Sequence, residues 1–248
     1  MVKKAVIATT VLATYNTTAE AVRTDCVLKT IEAARDNDYP IVVVDGGSTA
    51  DYIDTMRKLG ATVVTQDEPG MGNARRQALK LARLVARQGD AIIWTEPEKY
   101  PLIPLLDDPV ESVTQLGHDL VMLRRQSLDS YPPEQAMAYQ LIALATKYLT
   151  GIDCDFGWGP TVLSTSAVDY YLRYLSDYGD SWDSIHCPKL HIIHAGLPWT
   201  VITVDYIHPP EQTNAETGMG LFMKRIEQVR QLVDAIEREV GKLRMHRT

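Results

Sequence analysis

Two glutamates separated by a single proline are the sequence feature that points most directly to chemistry. Glu96 and Glu98 follow a short apolar run, 91–94, which predicts a buried strand. Two carboxylates this close repel each other unless a positive charge lies between them. A hard divalent cation such as Mg²⁺ or Mn²⁺ supplies that charge and can also bridge to phosphate oxygens. A solvated acidic turn is the alternative interpretation, since Lys99 follows directly.

A histidine near the end of the chain is the candidate for a third metal ligand. His208 follows a β-branched run, 200–207, that predicts a strand, and it precedes Pro209 and Pro210 at the start of a polar loop. A lone histidine is more often structural, but a strand end beside a polar loop is where a ligand is expected. Glu96, Glu98 and His208 together predict a site for a divalent cation.

Polar and glycine-rich clusters follow the three earlier predicted strands. Asp45 could accept hydrogen bonds from a nucleoside base or a ribose hydroxyl. Backbone N–H groups of glycines at a helix start, followed by Arg75 and Arg76, suit a diphosphate. Each cluster alone could be only a turn or a helix cap. The clusters are Thr14-Tyr15-Asn16, Asp45-Gly46-Gly47-Ser48 and Gly70-Met71-Gly72.

The first half of the chain alternates strand and helix signals. Apolar runs at 5–13, 41–44, 61–65 and 91–94 predict strands, and the segments between them predict helices. Thr17 and Glu20 have capping-box spacing for the first helix, and Ser48 is the expected cap of the second. This rhythm predicts an α/β fold with a parallel sheet and helices on both faces. Ligands of such sheets bind beyond the carboxyl ends of the strands, where all of these clusters lie.

The second half is less regular. We expect a strand at 120–123, helices at 133–150, 166–175 and 183–195, and loops at 151–160 and 209–220. The last helix, 221–243, has an apolar stripe that could pack on the domain or on a second subunit, which would make a homodimer. We therefore expect one binding and acceptor domain over 1–210. Residues 211–248 would be a C-terminal loop and helix appendage rather than an independent domain.

Composition narrows the function classes. The chain has 248 residues and a net charge of −7, which argues against a nucleic-acid partner. Its three cysteines show neither zinc-ligand spacing nor a disulfide framework. No apolar run reaches the ~18 residues of a membrane span, and the N-terminal apolar run fits a first strand better than a signal peptide. We therefore expect a cytoplasmic protein without an integral membrane segment.

The ordered set of motifs resembles the glycosyltransferases of the GT-A fold, in particular the family-2-like members and the mannosylglycerate and glucosylglycerate synthase type. The resemblance covers about residues 5–210 and implies a Rossmann-like mixed sheet flanked by helices. Glutamates stand where the family has an Asp-x-Asp motif. The matching segments are Thr14-Tyr15-Asn16, Asp45-Gly46-Gly47-Ser48, Gly70 with Ala74 and Arg75, Glu96-Pro97-Glu98, Gly157-Trp158-Gly159-Pro160, Trp182-Asp183 and His208.

The resemblance also implies a role for each residue. Glu98 and His208 would bind Mg²⁺ or Mn²⁺, with Glu96 on the metal or on ribose or sugar hydroxyls. Arg124 would face the acceptor or the donor sugar, and Asp183 stands where inverting members keep their catalytic base. The residues implied in nucleotide-sugar binding are Thr14, Tyr15, Asn16, Asp45, Gly46, Gly72, Arg75, Arg76 and Glu96.

The primary hypothesis from sequence is therefore a metal-dependent glycosyltransferase. It would move a sugar from a UDP- or GDP-sugar to a hydroxyl of a small, soluble acceptor. One alternative is a sugar nucleotidyltransferase, although a glycine-rich phosphate loop is missing after the first predicted strand. The other is a non-catalytic protein that binds a nucleotide-sugar or serves assembly through its last helix.

Overall fold

The computed structural model describes residues 3–245, which contain one seven-stranded sheet. The strands are β1 Ala5–Val11, β2 Ile41–Asp45, β3 Thr62–Thr65, β4 Ala91–Trp94, β5 Leu120–Arg125, β6 Thr161–Ser164 and β7 Trp199–Val204. Their order across the sheet is β3-β2-β1-β4-β6-β5-β7. β6 pairs antiparallel with β4 and β5, and the other pairs are parallel. The expected α/β class, with a mixed sheet flanked by helices, is confirmed.

Helices cover both faces of the sheet. They are α1 Thr18–Asp36, α2 Ala50–Lys58, α3 Met71–Val85, α4 Asp107–Thr114, α5 Pro133–Thr150, α6 Val168–Arg173, α7 Asp183–His194, α8 Pro210–Ala215 and α9 Met219–Met245, with a 3₁₀ helix at Tyr100–Leu105. Two apolar layers result, one between the sheet and α1, α2 and α4, the other between the sheet and α3, α6, α7 and α9. β1, β2 and β4 are covered on both faces, so nearly all of their residues are apolar and buried. Such continuous apolar runs are recognisable in the sequence.

The strand arrangement brings the predicted clusters to one edge. β1 lies between β2 and β4, so the chain leaves β1 to one side for β2 and β3 and to the other side for β4. Ligands of parallel sheets bind at such a reversal, beyond the carboxyl ends. β6 runs the opposite way, and its first residue, Thr161, pairs with Trp94 at the end of β4. The loop before β6 therefore lies at the same edge as the two glutamates.

Several expectations about single elements were wrong. Ser48 does not cap α2: its hydroxyl accepts from the N–H of Ala13 at 2.9 Å, and Thr49 is the N-cap residue. The expected capping box of α1 is half formed: the Thr17 hydroxyl accepts from the N–H of Glu20 at 3.2 Å, but the Glu20 carboxylate accepts from the N–H of Asn16 at 3.1 Å rather than from that of Thr17. The expected loop at 209–220 contains α8, which begins at Pro210 because proline suits the first helical turn. β6 was missed because it lies outside the strand–helix alternation that framed the equally short β3 and β4, and α4 was also not predicted.

The last helix is integrated with the rest of the chain. α9 packs against α5 and α7, and Leu232 and Ile236 of its predicted apolar stripe are fully buried. Ile226, on the same stripe, stays 39% exposed. The proposed division of the chain at residue 210 stays a prediction. Among residues 3–245, no helix combines the length and the apolar character needed to cross a membrane.

A buried carboxylate ties the C-terminal helices to α1. Glu216, between α8 and α9, has a side chain that is 1% exposed and pairs with Arg23 at 2.6 Å and Arg225 at 2.9 Å. It also accepts a hydrogen bond from Gln212 at 2.6 Å. Burial alone would raise the pKa of Glu216, but the two arginines hold it at about 2.

The ion pairs of Glu216 predict that the free energy of unfolding falls in acid. A carboxyl group with a lowered pKa stabilises the fold above its unfolded pKa, and that stability is lost as the pH falls toward the folded value. Between pH ~4.5 and ~2, Glu216 should therefore contribute a loss of about 3 kcal/mol in the free energy of unfolding. Glu216→Gln should flatten this part of the pH profile in urea unfolding, whereas Glu32→Gln on the exposed face of α1 should not. Parallel profiles for wild type and Glu216→Gln would contradict the assignment.

Candidate active site

A cavity of about 760 Å³ lies at the carboxyl edge of the sheet. Residues from four of the predicted clusters line it: Thr14 after β1, Gly46 after β2, Gly70 before α3, and Glu96 and Glu98 after β4. A smaller cavity of about 330 Å³ lies among α6, α7 and α9 and is lined by none of the predicted site residues. The larger cavity is therefore the candidate active site.

The two glutamates are held in the wall of this cavity. Oε2 of Glu96 is buried and has no hydrogen-bond partner among the residues that the structure describes. The side chain of Glu98 is 14% exposed, and its Oε1 lies 3.6 Å from Nζ of Lys99. A Cβ atom on Gly159 would lie 2.0 Å from Oε1 of Glu96, so a larger residue there would displace the carboxylate from this position. This burial argues against a merely solvated acidic turn.

The predicted three-ligand metal cluster is not assembled. Across residues 3–245, no group of three His, Cys, Asp or Glu side chains is placed to hold a metal ion. Nδ1 of His208 bonds to the hydroxyl of Thr213 at 2.8 Å, and the imidazole packs on Tyr131 at 4.1 Å between centroids. Burial and the cations of Lys99 and Arg125 lower the pKa of His208 to about 3. Nδ1 of the histidine is therefore occupied by Thr213, and the described residues do not bring His208 together with Glu96 and Glu98 into one metal site.

The arginines after the glycine loop have different environments. Gly72 is covered by Asp180, whose Oδ1 would lie 2.1 Å from a Cβ at this position. Arg76 donates two hydrogen bonds to the carboxylate of the same Asp180, at 2.7 and 2.5 Å. Neither Gly72 nor Arg76 lines the cavity, so their expected contact with a diphosphate is not supported by this arrangement. Arg75 does line it, and one of its N–H groups donates to the hydroxyl of Ser184 at 3.0 Å.

Arg75 keeps its charge in this position. Burial lowers the pKa of its guanidinium to about 10, and the carboxylates of Glu96 and Asp183 oppose the shift. The guanidinium lies 5.8 Å from the centroid of the Trp94 ring, and its Nε has no partner among residues 3–245. A buried cation with a free donor is thus available to a ligand at this point.

The first predicted cluster reaches the cavity through one residue. Thr14 lines it, and the backbone of this residue is fixed by hydrogen bonds with the Thr24 hydroxyl at 3.0 and 3.3 Å. Tyr15 is 60% exposed and does not line the cavity. Asn16 is also exposed, and its N–H donates to Glu20 at 3.1 Å. The expected contacts of Tyr15 and Asn16 with a nucleotide-sugar therefore stay predictions.

In the second predicted cluster, the glycine lines the cavity and the aspartate does not. The carboxylate of Asp45 accepts from the N–H groups of Gly47 and Ser48, each at 3.0 Å, and is fully buried. The side chain thus shapes its own turn, which is the structural role that Asp often has there. Gly46 lines the cavity in its place.

The two arginines at the end of β5 point to opposite faces of the sheet. Arg124, the one expected to face a substrate, bonds to the carbonyl of Asp153 outside the cavity, so that expectation is not supported. Arg125 is fully buried and binds Asp155 through Nε at 2.6 Å and Nη2 at 2.8 Å. Its guanidinium lies 3.8 Å from the ring centroid of Tyr139, which lines the cavity. Adjacent residues of a strand face opposite sides, so the sequence did not distinguish the two.

Asp183, the expected catalytic base, is turned away from the cavity. Its Oδ1 accepts from the N–H of Ser181 at 2.9 Å, and its Oδ2 accepts from the hydroxyl of Tyr174 at 3.3 Å. The residue is 3% exposed and does not line the cavity, whereas the preceding Trp182 does. The geometry makes Asp183 a structural residue at the start of α7.

This placement predicts a small kinetic effect for Asp183→Asn. An amide keeps an acceptor for Ser181, so we expect kcat to fall less than about tenfold. Removal of a general base typically costs about 10²–10⁴-fold. The free energy of unfolding should fall by about 1–2 kcal/mol, because the amide serves two donors less well. Asp177→Asn, an exposed position in the preceding loop, is the matched control. A loss of kcat above about 100-fold without a loss of stability would restore the role of base.

Sequence reasoning missed two polar side chains of α7. His186 lines the cavity, and Lys189, one turn later, is 1% exposed with Nζ donating to the carbonyl of Trp158 at 3.2 Å. Burial lowers the pKa of Lys189 to about 8. The available signal was a pair of polar residues three positions apart within an otherwise apolar helix segment.

Comparisons with known proteins agree with this fold. Residues 9–126 match the family model of glycosyl transferase family 2. Glucosyl-3-phosphoglycerate synthase from Mycobacterium tuberculosis, in complex with Mn²⁺, UDP and glucosyl-3-phosphoglycerate, has a TM-score of 0.62 at 15% identity, over 96% of this chain and 80% of that one. Its complex with Mn²⁺, UDP-glucose and phosphoglyceric acid has a TM-score of 0.62 at 18% identity, over 95% and 80% of the two chains. No curated protein sequence matches the chain.

The fold is the GT-A fold of nucleotide-diphospho-sugar transferases. Residues 9–126, somewhat less than half of the chain, match the glycosyl transferase family 2 model, so this segment is a glycosyltransferase domain. The resemblance inferred from the motifs is thereby confirmed, as is the expectation of an enzyme. The structural likeness, at 15–18% identity, supports the fold alone.

Proposed function

We propose that the chain transfers a glycosyl group from a nucleoside-diphosphate sugar to a hydroxyl of a small anionic acceptor, with help from a divalent cation at Glu96 and Glu98. The observation that carries this proposal is the pair of half-buried carboxylates after β4, in a cavity that Arg75 and Gly46 also line. The proposal refines the class that the family match defines.

The two carboxylates fit a divalent cation that shares its coordination with a ligand. Glu96 has a buried oxygen without a partner among the described residues, and Glu98 lies in the same wall. Mg²⁺ and Mn²⁺ accept one or two carboxylates and complete their shell with substrate phosphates and water. A third protein ligand is therefore not required, which agrees with the position of His208. When bound, the cation would offset charge on the departing diphosphate.

The remaining residues of the cavity suit the donor. The free Nε–H of Arg75 would bind a phosphate or a sugar oxygen, and Thr14 and Gly46 would border the nucleoside. In the transfer, the bond between the anomeric carbon and the diphosphate oxygen breaks, and its electron pair stays with the diphosphate. A new bond forms from the acceptor oxygen to the anomeric carbon, and the acceptor's proton is released. Charge on the leaving group is the main demand on such a site.

A buried lysine beside Glu98 suits an anionic acceptor. Lys99 is 3% exposed, and its Nζ lies 3.6 Å from Oε1 of Glu98. Lys99 itself lines the cavity. A buried cation in the wall of a cavity favours a carboxylate or a phosphate over a neutral ligand.

The acceptors seen with structural relatives carry such groups. Glucosyl-3-phosphoglycerate synthase from Mycobacterium tuberculosis was crystallised with phosphoglyceric acid and with glycerol 3-phosphate. Both compounds bear a phosphate beside free hydroxyls. Their chemistry supports the choice of acceptor class for this chain.

A binding screen followed by a turnover assay tests the proposal. The melting temperature would be measured with UDP, GDP, UDP-glucose and GDP-mannose, each with and without Mn²⁺, because ligand binding stabilises the fold. Donor turnover would then be followed with 3-phosphoglycerate, glycerol 3-phosphate or glycerol as acceptor. We expect stabilisation by one nucleotide only when Mn²⁺ is present, and transfer to a phosphorylated acceptor in preference to glycerol. Equal use of glycerol would contradict the anionic acceptor, and the absence of any Mn²⁺-dependent shift would contradict the metal site.

Homodimerisation through the last helix and a cytoplasmic location are further parts of the proposal. Exposed apolar side chains on α9, Met219, Met223 and Ile226, support the first. Light scattering of wild type and of Met223→Glu would test it, since a charge in a dimer contact should produce monomers.

A further inference from the structure

A buried lysine in α7 takes no part in the proposed transfer and does not line the cavity. Lys189 is 1% exposed, and its Nζ donates to the carbonyl of Trp158 at 3.2 Å. Lysine is almost never fully buried without a partner, because its ammonium loses hydration in the interior. Here the partner is a backbone carbonyl of the loop 156–160, which leads into β6. A charge kept in the interior for this contact indicates that the position of the loop matters.

α7 holds the loop through a ring as well as through a carbonyl. The centroid of the Phe156 ring lies 5.9 Å from that of His186 and 5.5 Å from Nζ of Lys189. His186 and Lys189 are three positions apart, so they lie on the same face of the helix. Phe156 and Trp158 are both 1% exposed. The start of the loop is therefore packed on α7 and bonded to it.

Two glycines of the same loop lie against other elements. A Cβ atom on Gly157 would lie 3.0 Å from Ile142 in α5, and one on Gly159 would lie 2.0 Å from Oε1 of Glu96. The carbonyl of Gly159 accepts from the hydroxyl of Thr161, the first residue of β6, at 3.0 Å. Movement of the loop would therefore change the space that the Glu96 carboxylate has.

The Glu96 carboxylate depends on this contact for its position. Its Oε2 is buried and has no hydrogen-bond partner among residues 3–245, so the close approach of Gly159 restricts it where a hydrogen bond does not. The charge of Lys189 also reaches it: burial lowers the pKa of Lys189 to about 8, and Glu96 opposes this shift. Contacts that orient a metal ligand from outside typically contribute about 10–100-fold to metal affinity.

We propose that Lys189 is a positioning residue for Glu96: it holds the loop 156–160 on α7, and the loop holds the carboxylate in the wall of the cavity. This inference rests on the proposed binding of a divalent cation by Glu96 and Glu98. It adds a residue behind the cavity wall on which the affinity for that cation depends.

Lys189→Met tests the role, because methionine fills the space of the stem without a donor or a charge. We expect the dissociation constant of Mn²⁺ to rise about tenfold or more. It would be followed by the electron paramagnetic resonance of free Mn²⁺ at saturating UDP or GDP, whichever wild type binds more tightly. The value of kcat at saturating Mn²⁺ should change less than this constant. Lys80→Met, on the exposed face of α3, is the control and should behave as wild type.

Two further measurements separate positioning from general stability. Hydrogen exchange of the backbone N–H groups of 157–159 should be faster in Lys189→Met than in wild type, because the loop opens more often. The melting temperature should be unchanged or higher, since a buried charge has been removed. A role in stability alone would lower the melting temperature and leave the Mn²⁺ affinity as in wild type.

A second variant tests the link from the loop to the carboxylate. Gly159→Ala should itself weaken Mn²⁺ binding, because the added methyl group displaces Glu96. Lys189→Met should then have little further effect in the double variant, since both changes act through one loop. If Lys189→Met does not fold, Lys189→Gln takes its place, because it also removes the charge.

The failures of the two proposals are distinguishable. Wild-type Mn²⁺ affinity in the Lys189 variant, or fully additive effects in the double variant, would overturn the positioning role. If wild type itself binds no Mn²⁺ with either nucleotide, the proposed function fails instead.

Discussion

Glu98→Gln is expected to lower kcat/KM for glycosyl transfer by at least about 100-fold. Glutamine has the same shape as glutamate but no charge, so it cannot supply the negative oxygen that binds a divalent cation. The cation would supply several kcal/mol of stabilisation to the charge on the leaving diphosphate, and each 1.4 kcal/mol changes the rate about tenfold. Mn²⁺ titration of activity at saturating donor would measure the effect together with the loss of metal affinity.

Two comparisons make this prediction specific to the carboxylate. Glu98→Asp keeps the charge with one methylene fewer and restores the residue type of the related Asp-x-Asp motif, so it should retain more activity than Glu98→Gln. Glu32→Gln, on the exposed face of α1, should leave kcat/KM unchanged. If Glu98→Gln and Glu32→Gln have equal activity, Glu98 does not hold the cation.

The sequence predicted where the site would be, because strand ends are visible as the ends of apolar runs. Glu96, Glu98, Thr14, Gly46 and Arg75 all follow such runs, and parallel pairing brings them to one cavity. Their convergence depends only on the direction of the strands. A pattern of buried strands and amphipathic helices is enough to establish that direction.

The partner of each polar side chain was not predictable, because some partners come from distant positions and others from a loop whose shape the sequence does not specify. The sequence analysis assigned Arg76 to a diphosphate. In the structure Arg76 pairs instead with Asp180, which is 104 residues away. Asp183 was assigned as a base from its place in the motif order, but Tyr174 and Ser181 occupy its carboxylate. Neither contact leaves a signal in local periodicity.

The antiparallel strand explains the remaining part of the site. β6 runs antiparallel and lies outside the strand–helix alternation of the first half, so the sequence did not reveal it, yet it places Gly159 against Glu96. The same loop contains the carbonyl of Trp158, which accepts from Lys189. Sequence analysis matched 157–160 to a family segment by resemblance, but its contact with the acidic motif required the sheet order.

Arg125→Met is expected to lower the free energy of unfolding by about 3–5 kcal/mol, the largest stability effect that we predict. The guanidinium is fully buried in a two-point ion pair with Asp155, and removal of one partner leaves an unpaired carboxylate in the interior. Arg124→Met, the adjacent residue in β5, is the matched control, since its pair with Asp153 at 3.5 Å is largely exposed and such pairs contribute less than about 1 kcal/mol. The double variant Arg125→Met with Asp155→Leu removes both charges and should recover part of the loss. Urea unfolding of the four proteins at neutral pH measures these differences. Equal stabilities of the two single variants would contradict a buried pair at Arg125.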